Sequence, residues 1–148
     1  MSKKIDVPYA TTIHVRDHCL CLHAQRAARA LARHFDEALR PAGLTNGQFS
    51  LLMSLNRPEP PNMGSVASLL AMDRTTLTAA LKPLEREGLV KTSPDPNDKR
   101  TRRLIRTDAG RRKLADAMPL WTKAHEEIEA SLASSDPDQL RADLLSLS

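Results

Sequence analysis

Along most of the chain, apolar residues recur three and four positions apart, the spacing of one face of an α-helix. The first stripe, Leu20, Ala24, Ala27, Leu31, Phe35 and Ala38, predicts a long helix from about Asp17 to Leu39, stopped by Pro41-Ala42-Gly43. Thr45-Asn46-Gly47-Gln48 reads as a capping box, in which Thr45 accepts from the Gln48 amide and Gln48 reaches back. It opens a second helix carrying Phe49, Leu52, Met53 and Leu55. The prolines at 58, 60 and 61 exclude regular structure in the loop that follows. Asn62 then caps a short helix with Val66, Leu69 and Leu70 inside. Asp73 caps the next, whose stripe is Leu77, Leu81 and Leu84 and whose stop is Gly88.

Beyond Gly88 the pattern changes. LVKTS and TRRLIR are short, separated by the turn residues PDPNDK, and pair as a hairpin. Thr107 caps another helix with the stripe Leu114, Met118, Trp121, Ala124, Ile128 and Leu132, running to about Ala133. Asp136-Pro137-Asp138-Gln139 supplies an N-cap, a proline at the first helical position and a box partner for a last helix expected to bury Leu140, Leu144 and Leu147. Residues 1–15 read as an arm, because Pro8 and the threonine pair at 11 and 12 argue against a helix start there. The order helix, helix, short turn, helix, hairpin is that of a winged helix-turn-helix, mainly α with a small β-hairpin wing.

The helix after Asp73 sets a problem. Its outer side reads Arg74, Thr75, Thr78, Lys82 and Arg86, with no acid among them. In a winged helix this side enters the major groove. Small polar Thr75, Thr76 and Thr78 allow close approach, while Arg74 and Lys82 reach phosphates or guanine edges. Pro83 near the helix end removes one amide donor, which predicts a bend after the DNA-reading part rather than a split helix. Lys99 and Arg100 at the hairpin tip suit a neighbouring minor groove, and Asp98 beside them suits bracing an arginine or the turn.

Charge sharpens this picture. The chain of 148 residues carries a formal net charge of +4, a weak signal by itself. Between Lys91 and Lys113, however, Lys91, Lys99, Arg100, Arg102, Arg103, Arg106, Arg111, Arg112 and Lys113 face only Asp95, Asp98 and Asp108. Such clustering points to an anionic partner. The composition, 41% hydrophobic and 27% charged, is that of a globular chain with a Leu- and Ala-rich core, since aromatics are only 3%. No apolar run approaches the roughly 18 residues of a membrane span, and no secretory h-region is present. Two cysteines without export suggest a reducing cytoplasm and no structural disulfide.

Three segments together resemble the MarR family of bacterial transcriptional regulators over roughly residues 18–133: GLTNGQFSLL, DRTTLTAALKPLEREGLV and SPDPNDKRTRRLIRTDAG. The family's Asp-x-Arg wing motif is Asp98-Lys99-Arg100 here. Its Leu-Thr-x-x-Gly is matched by Arg106-Thr107-Asp108-Ala109-Gly110, with Arg106 in place of the usual leucine. The resemblance implies an obligate homodimer on double-stranded DNA at a pseudo-palindromic operator, usually as a repressor released by a small-molecule effector or by oxidation. It implies an arm over 1–16, dimerisation helices in 17–44 and 107–148, and a DNA-binding lobe over 45–106. Pro119 and Trp121 would then belong to the dimerisation region, with Trp121 in core packing. No cofactor is expected, and the protein would be cytoplasmic.

The stretch HVRDHCLCLH, residues 14–23, offers a sensor. Cys21 lies 24 residues before Thr45, a spacing that resembles the reactive cysteine of the family's organic-hydroperoxide-sensing branch. That branch supports its thiolate with tyrosines, where this chain has Gln25, Phe35 and Asn46. His18 is a neighbour that could activate a thiol. In one continuous helix Cys19 and Cys21 would point to different faces, poor geometry for a bond between them. A metal held by His14, His18 and Cys21, or by Cys19 and His23, is a further possibility. The plain reading is cysteines buried in a dimer core with histidines at its rim. Two functions of other classes compete with DNA binding: a thiol peroxidase using Cys21, for which no catalytic triad signature stands out, and a winged helix used for protein contact.

Overall fold

The computed structural model describes residues 5–148, so the first four residues of the expected arm lie outside the described residues. Seven helices and one hairpin follow in order: α1 (Tyr9–His18), α2 (Leu20–Leu39), a 3₁₀ turn (Arg40–Ala42), α3 (Asn46–Ser54), α4 (Met63–Leu69), α5 (Arg74–Arg86), β1 (Val90–Pro94), β2 (Arg102–Arg106), α6 (Asp108–Ser131) and α7 (Pro137–Ser146). Packing divides the chain into two units, one up to His34 and one from Phe35 onward.

The first unit corrects two expectations. Residues 9–15, expected in an arm without a helix, belong to α1, which starts directly after Pro8. Proline has no amide to lose at a helix start, and its backbone φ of −58° is already close to helical. The long helix expected from Asp17 is interrupted at Cys19, which is extended (φ −70°, ψ 109°). Cys19 ends α1 by donating its amide to the Val15 carbonyl, 2.9 Å away. It also begins α2, because the Leu22 amide donates to Cys19 Sγ at 3.4 Å, the position of an N-cap acceptor.

In the second unit the core is built from Leu39, Leu52, Val66, Leu77, Leu84 and Leu104, all at 0% exposure. Each such side chain contributes about 1.5–3 kcal/mol by leaving water. The expected caps are present. Thr45 and Gln48 form the reciprocal box, Asn62 accepts from Ser65, Asp73 from Thr76, and Thr107 from Gly110. The exception is the last box: Asp136 accepts from Asp138, while Gln139 donates to Asp143 within α7. Asp36 adds an unforeseen brace. It accepts from both the backbone and the side-chain amide of Asn46 (2.7 and 2.8 Å), which holds its carboxyl below its ordinary value.

Pro83 lies inside α5, which continues to Arg86, so the helix is not split. β1 and β2 pair antiparallel with Val90 opposite Arg106 and Pro94 opposite Arg102. The proline loop contributes one bridge, Asn62 to Arg103, beside β2. The base of the hairpin is fastened to α6 at Thr107. Its amide donates to the Leu89 carbonyl (3.1 Å) and its hydroxyl to the Gly88 carbonyl (2.7 Å). Trp121 stacks against Phe35, Phe49 and His125, with ring centroids 6.4, 6.0 and 4.6 Å away. The α7 stripe differs from expectation: Leu140, Leu144 and Leu147 are not buried, with Leu144 and Leu147 at 48% and 68% exposure.

Candidate nucleic-acid interface

The turn that aims α5 is made at Ala71, which takes a left-handed backbone (φ 52°) normally left to glycine. The Met72 amide closes it by donating to the Ala67 carbonyl, 2.9 Å away. Asp73 then starts α5, accepting from the Thr76 amide (2.7 Å) and the Thr76 hydroxyl (2.9 Å). These two bonds, the amide foremost, hold the Asp73 carboxyl below its ordinary value. A group depressed by folding stabilises the fold above its unfolded pKa, and that stability is lost as pH falls through the folded value. Asp73→Ala is therefore expected to lower the melting temperature by about 2–4 °C at pH 7. The gap between the two proteins should close as pH falls below the ordinary value of 3.8, as thermal unfolding followed by circular dichroism at pH 7, 4 and 2.5 would record.

Leu77, Leu81 and Leu84 fix α5 to the core and turn its other side outward. Arg74, Thr75, Thr78, Ala79 and Lys82 line one open groove with no acid in its lining. Arg86, expected on the same side, is exposed but does not line this groove. The hydroxyls are not equivalent. Thr76 spends its hydrogen on Asp73, and Thr78 donates to the Arg74 carbonyl at 2.8 Å. Both keep lone pairs for an incoming donor. The Arg74 guanidinium lies beside Gly64, where an added Cβ would sit 3.3 Å from its Nη2.

A second cleft, about 350 Å³, runs between α5 and the hairpin, lined by Met63, Thr78, Leu81, Lys82, Glu85, Thr92 and Arg102. It brings in Arg102, expected only as a member of the basic cluster and not among the DNA-reading residues, and one acid, Glu85. Arg102 donates to the Thr92 hydroxyl across the strands at 3.4 Å. The alternation of the strand was the signal that could have found it, since Arg102, opposite Pro94, and Thr92, opposite Leu104, are diagonal neighbours on one face of the hairpin.

At the hairpin tip, Asp98 braces the turn rather than an arginine side chain. Its carboxylate accepts from the Arg100 amide (3.0 Å), and its carbonyl accepts from the Thr101 amide (3.1 Å). Asp95 accepts from the Asn97 amide in the same way. Lys99 and Arg100 are left exposed at the tip.

The candidate sensor residues lie in the first unit. Cys19 is half-buried, Cys21 is exposed, and both are free thiols. Because Cys19 stands outside both helices, the argument from opposite helix faces does not hold for this pair. The Gln25 amide donates to Cys21 Sγ at 3.3 Å. His18 bonds the His14 carbonyl through Nδ1 and stacks on the His14 ring. Among the described residues, no group of three or more His, Cys, Asp or Glu is placed to hold a metal ion. No helix among them is long and apolar enough to cross a membrane.

Comparison with known proteins agrees with this geometry. Residues 44–101 match the model of the MarR family. The transcriptional regulator MosR of Mycobacterium tuberculosis, solved in complex with DNA, is 38% identical, with a TM-score of 0.80 over 88% of this chain and 93% of that one. The repressor CouR bound to a 23-mer DNA duplex is 31% identical, with a TM-score of 0.72 over 90% and 92% of the two chains. CouR from Rhodococcus jostii RHA1 has also been solved with p-coumaroyl-CoA. The transcriptional repressor MprA of Escherichia coli is 25% identical over 94% of this chain and 77% of its own. These relatives are transcriptional regulators rather than enzymes. The chain belongs to the MarR family and is a DNA-binding transcriptional regulator.

Proposed function

We propose that the protein is a homodimeric repressor that binds a pseudo-palindromic operator and is released by a small ligand. In each protomer Arg74, Thr75, Thr76, Thr78 and Lys82 enter the major groove, with Arg86 at the phosphates beside it. Lys99 and Arg100 meet the adjoining minor groove, held in place by Asp98. Residues 45–106 act as the DNA-binding lobe, and residues 17–44 and 107–148 as the dimerisation helices; the arm, residues 1–16, includes most of α1. The observation that carries this reading is the acid-free, solvent-open groove on α5, beside which the hairpin holds a cationic tip. Two further features support a dimer. Leu20 and Leu31 on α2, and Leu144, Leu145 and Leu147 at the C-terminus, are left in water by a single chain, an arrangement that a second copy relieves. A DNA partner of this kind places the protein in the cytoplasm.

Release by a ligand is supported by the p-coumaroyl-CoA complex of CouR. A second reading, release by oxidation at Cys21 with Cys19 and His18 beside it, is favoured by the exposure of that thiol and its Gln25 partner. A peroxidase activity at Cys21 is the enzymatic form of the same idea, and Cys21→Ser would remove peroxide turnover while sparing DNA binding.

Arg100→Ala is expected to weaken operator binding about tenfold, the effect of one lost charged contact. The mass in sedimentation should stay unchanged. Fluorescence anisotropy with operator DNA found by footprinting next to the protein's own gene tests this. Unchanged affinity would remove the wing from the interface. Wild-type affinity should also fall steeply with added salt, because phosphate contacts release counterions.

A further inference from the structure

Arg106 stands where the family pattern has leucine, and the DNA-reading surface does not use it. The hairpin register puts it opposite Val90 at the base of the wing. The length of β2, roughly 15 Å, separates it from the tip. It lies on the same side of the strand as Leu104, the core side. There it lines a cleft of about 70 Å³ with Arg57, Pro58, Pro60 and Arg111. Arg57 comes from the loop after α3, Arg106 from β2 and Arg111 from the first turn of α6. Three arginines therefore line one cleft, and no acid lines it.

The charges there are poorly balanced. Arg106 donates through Nη1 to Asn56 Oδ1 at 2.7 Å, a neutral partner. Its Nε is buried and has no hydrogen-bond partner, a costly arrangement for a charged donor. Arg111 has an exposed ion pair with Asp108, 3.7 Å away along α6. Burial, and then repulsion from Arg111, pull Arg106 below the ordinary arginine value. Like charges gathered at one cleft without an acid are balanced by an anion. The volume is about that of two waters, enough for one phosphate group and too small for an aromatic ring.

We propose that the cleft between Arg57, Arg106 and Arg111 binds a phosphate group, either inorganic phosphate or the phosphate end of a small metabolite. The bound group offers its oxygens to the donors of the arginines that line the cleft. It ties the α3–α4 loop, the wing base and α6 together. Its distance from the wing tip favours a free phosphate over a phosphate of the operator.

Calorimetric titration with inorganic phosphate, at ionic strength held constant with sodium chloride, tests this without DNA. One saturable site per chain is expected. Arg106→Leu, which installs the family's usual residue, should weaken it about tenfold or more. Arg57→Ala, on an exposed loop position, should do the same and serves if the first variant folds poorly. No saturable binding in the wild type, or equal binding in both variants, overturns the proposal. A second arm compares DNA affinity in phosphate-free buffer. Wild type and Arg106→Leu should bind DNA alike, with the same salt slope. A weaker variant with a flatter slope would assign the cleft to the DNA backbone and overturn the free-phosphate site.

Discussion

Thr78→Glu should abolish specific DNA binding while leaving the protein folded. Thr78 is exposed midway along α5 and lines both the groove with Arg74 and Lys82 and the cleft towards the hairpin. A carboxylate there meets the phosphate backbone or the acceptor-rich groove floor at close range. Juxtaposed like charges at an interface cost several kcal/mol, so affinity should fall by about a hundredfold or more. The fold has no reason to suffer, because glutamate is a better helix former than threonine. The hydroxyl being lost makes only a local bond to the Arg74 carbonyl. Anisotropy with operator DNA, beside Thr78→Ser as control, reads the effect. A glutamate variant that still binds tightly would mean that α5 is not the element in the groove.

Gly110→Ala should destabilise the lobe strongly. In an ordinary helix alanine is better than glycine by about 1 kcal/mol. Here an added Cβ would stand 2.3 Å from the Leu89 carbonyl oxygen and 3.0 Å from Arg106 Cγ. The carbonyl cannot step aside cheaply, because it accepts from the Thr107 amide. Forcing a methyl into such a place costs about 3 kcal/mol, or roughly 10 °C in melting temperature for a chain of this size. A calorimetric scan decides it, and a variant as stable as the parent would show that the wing base and α6 are not in close contact. The glycine of the family's motif thus has a packing reason in this chain.

What could be read from the residues alone follows a physical divide. Helix starts at Asn62, Asp73 and Thr107 were legible because a cap bonds within three residues of itself. The break at Cys19 was not. It carries neither glycine nor proline, and its cap acceptor is a thiol, an unusual choice for that position. Pro8 has the look of a breaker and marks a start. The stripe of α7 told which face is apolar, but no stripe tells what covers it, and the single chain leaves Leu144 in water. At the interface, the residue types were legible and their commitments were not. That Thr76 gives its hydroxyl hydrogen to Asp73 follows from three-residue spacing. That Arg74 lies beside Gly64 depends on how α4 meets α5, which no local pattern encodes. Arg106 stood out only as a departure, and its buried Nε became visible only with its neighbours around it.

Trp121 is the sole tryptophan of the chain, so all of the protein's indole emission leaves from one place between Phe35, Phe49 and His125. The His125 ring stacks on the indole with centroids 4.6 Å apart. The molecule therefore carries its own optical gauge at the junction of α3 and α6. Any event that shifts His125 against the ring is readable without a dye.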